Sequence, residues 1–151
     1  VINNFLVTGG TAIFGQGGGG VFNLNFMQGN FVTSSSYGQV AVHDTTTSLS
    51  DSIPMIFTPP IGSLNSYYLT NPNTVHVIKN NNEHIVSYFP TYKGRLIMLG
   101  LNFLPASQEQ SIILANAVRW GIEKNKINKA NVHYSKYKDS LFVNQSLCHQ
   151  N

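Results

Sequence analysis

Apolar and polar positions follow two different periods along this chain, and the changes of period mark its elements. Val1, Ile2, Phe5 and Leu6 recur at helical spacing before Thr8-Gly9-Gly10, which predicts the last turns of a helix with a glycine stop. Thr11-Ala12-Ile13-Phe14 is a short apolar run bounded by glycines and predicts a buried strand. The run Gly15-Gln16-Gly17-Gly18-Gly19-Gly20 follows it, and then Val21, Phe22, Leu24, Asn25, Phe26 and Met27 suit a short helix ending at Gly29. The opening therefore reads helix, strand, glycine turn, helix.

Further on, Phe31-Val32-Thr33 and Gln39-Val40-Ala41-Val42-His43 read as strands, Leu49 to Ile53 as a helical turn before Pro54, and Pro59-Pro60 as a loop. Tyr67-Tyr68-Leu69 is a further β-rich run. Thr74 to Ile78 and His84 to Phe89 predict a hairpin joined by the polar turn Lys79 to Glu83. Arg95 to Leu101 is the most apolar strand candidate, buried on both faces if the sheet is parallel there. From Ser107, with Glu109 and Gln110 in the first turn, Ile112, Ile113, Ala115, Ala117, Val118, Trp120 and Ile122 predict an amphipathic helix to about Lys124. Beyond it the Asn- and Lys-rich residues read as a tail or linker, which divides the chain into a domain over 1–124 and a tail over 125–151.

The 151 residues suffice for one core and not for two. Charged residues are only 10% of the chain against roughly 25% in an average soluble domain, so the surface is polar but largely uncharged. No apolar run reaches the ~18–20 residues of a membrane-spanning helix, and no signal-peptide pattern opens the chain, which reads as part of something longer. The net charge of +3 is unevenly placed. No Lys or Arg precedes Lys79, whereas Lys124, Lys126, Lys129, Lys136 and Lys138 crowd the end. This charge belongs to the tail and argues against a nucleic-acid surface on the folded part. Cys148 is the only cysteine, so no internal disulfide forms. The compartment is left open; Asn144-Gln145-Ser146 is a sequon by composition alone.

Several chemistries fail on residue type or spacing. A strand, glycine turn and helix is the layout of a nucleophile elbow, but neither Gln16 nor Gly17 at its apex can attack a carbonyl. Gly15-x-Gly17-x-x-Gly20 fits a dinucleotide fingerprint, as a glycine run fits many spacings, with no acidic residue where the ribose would need one. His43, His76, His84, His133 and His149 are dispersed and predict no metal site. His43-Asp44 is a candidate dyad or simply a turn, and the six carboxylates lie too far apart in sequence to suggest a glycosidase pair.

The stretch from Phe5 to Glu123 resembles the C-terminal part of a class I glutamine amidotransferase-like domain. Phe5-Leu6-Val7-Thr8-Gly9-Gly10-Thr11-Ala12-Ile13-Phe14-Gly15-Gln16 is similar to the helix, double glycine and strand before that family's elbow. Tyr92-Lys93-Gly94-Arg95-Leu96-Ile97-Met98-Leu99-Gly100 resembles its Tyr-Gly-Lys-Gly-Arg-Val strand, and Asn116-Ala117-Val118-Arg119-Trp120 its closing helix. Active members carry a cysteine where this chain has Gln16 or Gly17, and a histidine where Phe103-Leu104-Pro105-Ala106 has Leu104, so the resemblance implies a domain without its catalytic pair. Phe14-Gly15-Gln16, Gly29-Asn30-Phe31 and Tyr37-Gly38 are also similar to amidotransferase-like segments of ion-channel-associated factors and of enhancin-like zinc peptidases.

These readings predict an α/β domain, flavodoxin-like and three-layered by the resemblance, with a mostly parallel sheet, an added antiparallel hairpin and its N-terminal strands missing. The function expected is that of a non-catalytic module for ligand or protein interaction within a larger protein. The alternatives are an accessory domain of a hydrolase or zinc metallopeptidase whose active site lies outside this chain, and nucleotide binding at the glycine loop. No cofactor, metal or membrane span is expected. The partner expected is the rest of a larger polypeptide or another protein, with a neutral polar small ligand as a further candidate. Such a ligand would sit at Gly15, Gln16, Gly17, Gly18 and Asn102, beyond the carboxyl ends of the strands.

Overall fold

The computed structural model describes residues 1–15, 21–24, 27–33, 38–60, 64–91, 93–103 and 106–137. Helix α1 (Ile2–Val7) stops where predicted. Gly9 takes φ of 107°, which only glycine adopts readily, and lets the Gly10 amide donate back to the Phe5 carbonyl at 2.8 Å. The chain then enters strand β1 (Thr11–Phe14).

The helix predicted from Val21 is replaced by strands, with Asn25 and Phe26 outside the described residues. Strand β2 (Val21–Leu24) pairs with β3 (Met27–Thr33), setting Val21 opposite Asn30 and Leu24 opposite Met27. Val21, Phe22, Leu24 and Met27 satisfy either period over so short a span, and hairpin pairing decides. The strand–glycine–helix layout therefore does not form, and the elbow and dinucleotide layouts lose the helix N-terminus on which both depend.

After β4 (Val40–Val42), a 3₁₀ turn at Ser48–Ser50 and the short β5 (Ile56–Phe57) come β6 (Asn65–Leu69), β7 (Val75–Asn80), β8 (Glu83–Pro90) and β9 (Arg95–Leu99). The main sheet has six strands in the order β1-β9-β8-β7-β4-β5. Only β1 and β9 are parallel, with Thr11 opposite Arg95 and Phe14 opposite Met98; every other pair is antiparallel. The expected mostly parallel sheet is thus corrected, and the linking loops give the reason. β7 and β8 are joined through Asn81-Asn82, with Asn81 at φ 51°, and β8 and β9 through the short loop 91–94. A parallel step would need a crossover of about a dozen residues or more. A second sheet of three strands, β2-β3-β6, is antiparallel throughout.

β9 is buried on both faces, as its composition predicts, and its alternation divides the interior in two. Ile97 and Leu99 join Val40, Val77, Ile78, Ile85, Val86, Ile113 and Ala117 on one face. Leu96 and Met98 join Leu6, Tyr67 and Phe89 on the other. Gly100 closes β9 where backbones crowd: its amide donates to the Ile85 carbonyl (2.7 Å), its carbonyl accepts from the Asn65 amide (2.7 Å), and an added Cβ would strike the Asn65 carbonyl oxygen.

The final helix, α2 (Gln108–Tyr137), starts as predicted. The Gln110 side-chain oxygen accepts from the Ser107 amide at 2.6 Å while the Gln110 amide donates to the Ser107 hydroxyl at 3.3 Å, a reciprocal cap. The helix continues through the expected linker to Tyr137, because 125–137 contains neither proline nor glycine to stop it. No helix among the described residues is long and apolar enough to cross a membrane.

Candidate functional site

Of the ligand residues predicted from sequence, Gln16, Gly17 and Gly18 lie outside the described residues, as does Leu104. Gly15 and Asn102 follow the carboxyl ends of the neighbouring strands β1 and β9, so the fold does bring them to one end of the sheet. The Gly15 carbonyl accepts a hydrogen bond from the Tyr67 hydroxyl at 2.8 Å, and a Cβ on Gly15 would meet nothing within 4 Å. Burial pushes the Tyr67 phenol above its ordinary pKa, which keeps it a donor. Asn102 serves structure as well: its carbonyl accepts from the buried Gln110 side chain at 2.9 Å, fastening the start of α2.

A polar cluster that the spacing did not reveal lies on the β7–β8 hairpin. His76 Nδ1 and Ser87 Oγ are hydrogen-bonded at 2.9 Å, and the His76 and His84 rings stack with centroids 3.5 Å apart. Regular alternation would put His84 on the face away from His76. The ladder, however, slips between His76 and Lys79: Ile78 pairs with Val86, so Val77 and Ile78, and likewise Ile85 and Val86, turn two consecutive apolar side chains into one core. His84 then emerges beside His76. Burial, the facing His84 and nearby Lys79 lower His76 to about 4, and burial with Lys79 also lowers His84.

A serine bonded to a histidine resembles part of a hydrolytic dyad, but Ser87 is 1% exposed and β6 packs against its strand. No substrate carbonyl reaches its hydroxyl. His43-Asp44 does not form the dyad considered from sequence. Asp44 Oδ1 accepts from the Thr46 amide (2.9 Å) and hydroxyl (2.6 Å), which is the turn reading. Among the described residues no three His, Cys, Asp or Glu side chains gather to hold a metal ion.

The face of α2 away from the sheet is a different surface. Gln110, Ile113, Ala117 and Gly121 point inward, and Gly121 lies against Thr11 of β1. Leu114, Val118 and Ile122 are 37%, 44% and 49% exposed, although the sequence had placed Val118 and Ile122 on the core face. With Phe103, Ala106 and Arg119 they line an open, mainly apolar groove of about 770 Å³. Apolar residues run round much of this helix, so its periodicity alone could not tell the covered side from the open one. The chain matches no protein-family model, no curated protein and no solved structure.

Proposed function

We propose that this chain is a non-catalytic binding module, amidotransferase-like and part of a larger protein. The apolar groove along Leu114, Val118 and Ile122 carries the reading: it is an open, side-chain-lined surface on a protein otherwise poor in exposed charge, suited to another polypeptide. The sealed Ser87 supports it from the other direction, since its hydroxyl, bonded to the His76 ring, is out of a substrate's reach.

A flavodoxin-like, three-layer description is part of this proposal. It is supported by the parallel β1–β9 pair and by α1 and α2 packing on the two cores that β9 separates. A neutral polar ligand at Gly15 and Asn102, the site predicted to include Gln16, Gly17 and Gly18 next in sequence, is supported by the open space at Gly15.

The purified chain should release no ammonia from glutamine and hydrolyse neither p-nitrophenyl acetate nor casein above blank. Turnover abolished by Ser87→Ala or His76→Asn, with folding intact, would overturn the proposal.

A further inference from the structure

The two histidines of the β7–β8 hairpin are oriented together. Their rings stack with centroids 3.5 Å apart and planes 17° from parallel, side by side on two hydrogen-bonded strands. His76 Nδ1 meets the Ser87 hydroxyl at 2.9 Å, and Ser87 is sealed from solvent, so this nitrogen points into the protein. His84 Nδ1 is buried as well. The two nitrogens of an imidazole lie on nearly opposite edges of the ring. Both Nε2 edges therefore turn outward, and both residues are only partly covered. The backbones beneath them are fixed, since Val77 and Ile78 on one strand and Ile85 and Val86 on the other are anchored in the core.

We infer that His76 and His84 form a two-imidazole site for a divalent late transition-metal ion, ligated through both Nε2 atoms with water completing the shell. Two nitrogens bound to one ion at ~2.0–2.1 Å lie about 3–3.4 Å apart. Rings already 3.5 Å apart need only a slight tilt to converge on it. The contact between Ser87 Oγ and His76 Nδ1 is the support a ligating histidine takes, because a hydrogen bond at one ring nitrogen fixes the tautomer and aims the other. Imidazole suits nickel, copper and zinc, whereas magnesium and calcium require oxygen donors, which the pair does not offer. Burial and Lys79 keep both rings neutral, the form that carries the ligating lone pair. Lys79 stands directly opposite His84 in the ladder and also repels a cation, so its charge works against the bound ion. The histidines are too far apart in sequence for a helical ligand spacing, and the register slip alone brings them together.

Calorimetric titration of Ni(II) into the full chain tests the site, with Mg(II) as the comparison ion, and neither result alters the binding-module reading. Ni(II) should bind and Mg(II) should not. His76→Gln and His84→Gln should each weaken Ni(II) at least tenfold, and Ser87→Ala about tenfold through the lost support of His76. A joint Cys148→Ala and His149→Gln change removes the neighbouring soft ligands near the chain's end and should leave the affinity as it was. Cu(II) bound to that doubly changed chain should show coupling to two nitrogens in its electron paramagnetic resonance spectrum. Lys79→Gln leaves the pair untouched and should tighten Ni(II) severalfold, which keeps the test decisive if a glutamine variant loses its thermal transition. Four results overturn the assignment: no Ni(II) binding, binding that survives both glutamine variants with their folds intact, binding lost with Cys148 and His149, or an affinity indifferent to Lys79→Gln.

Discussion

The guanidinium of Arg95 lies over the Trp120 ring, 3.5 Å from its centroid, and donates to the Trp120 carbonyl at 3.4 Å. The contact ties the first residue of β9 to the middle of α2, with Tyr88 edge-on to the same ring at 5.0 Å. Burial lowers the Arg95 pKa against the support of Tyr88 and Glu123, and the group remains a cation at any working pH.

Arg95→Ala should therefore destabilise the fold by about 1–2 kcal/mol through the lost cation–π contact and the bared Trp120 face. Arg95→Lys should recover only part of this, because an ammonium lacks the planar stacking surface. Urea unfolding at constant m value reads both. Equal midpoints for the wild type and Arg95→Ala would show that the contact contributes nothing.

The stacked His76–His84 pair sets an acid limit on stability. His76 falls from 6.5 to about 4 on folding, and His84 is also lowered. The unfolded chain thus takes up protons first. The stabilisation is fully present above about pH 6.5 and drains away as pH falls towards 4. The loss should be about 1–2 kcal/mol after allowance for partial exposure. Thermal scans across this window should show the decline, and His84→Gln should flatten it; an unchanged slope in that variant would remove the pair as the cause.

Asn116 is buried and bridges two elements, donating to the Asp51 carbonyl at 2.8 Å and accepting from Arg119 at 2.5 Å. Asn116→Ala leaves the carbonyls of the 3₁₀ segment without that donor and should cost about 1–3 kcal/mol. Asn116→Asp should be at least as harmful, since a carboxylate cannot donate to them. Amide exchange at Ser50 and Asp51 should quicken in both variants, and global unfolding without local loosening would contradict this role.

Most strands were legible because their apolar runs are short and bounded by turn residues, as in the hairpin from Val75 to Pro90. Strand direction was not: runs buried on both faces look alike in parallel and antiparallel sheets, and only the short loop 91–94 between β8 and β9 settles it. The placement of Gly15 and Asn102 at one end of the sheet followed from strand ends alone. His76 and His84 were illegible as a pair because a register slip, not spacing, turns them to one face. The open flank of α2 was hidden by its own apolarity, since what separates Val118 from Ala117 is the presence of β9 and β1 on one side only.

The last prediction contrasts two glycines at the same end of the sheet. Gly100 has the Asn65 and Ile85 carbonyl oxygens where a Cβ would go, the latter at 2.8 Å, and both belong to backbone that is hydrogen-bonded in place. Neither can retreat without breaking a strand pairing, so Gly100→Ala should destabilise by about 3 kcal/mol or more. Gly15 has nothing within 4 Å, and its φ lies outside the left-handed range. Gly15→Ala should then raise stability by about 0.4–1 kcal/mol, because it restricts the unfolded chain without strain in the folded one. Chemical denaturation of the two variants should move the midpoint in opposite directions. A large loss at Gly15 would mean that the glycine is fixed by packing at the strand end. A gain there leaves its open space as room for a ligand, and a bulkier Gly15→Val would then fill that room at little expense to the fold.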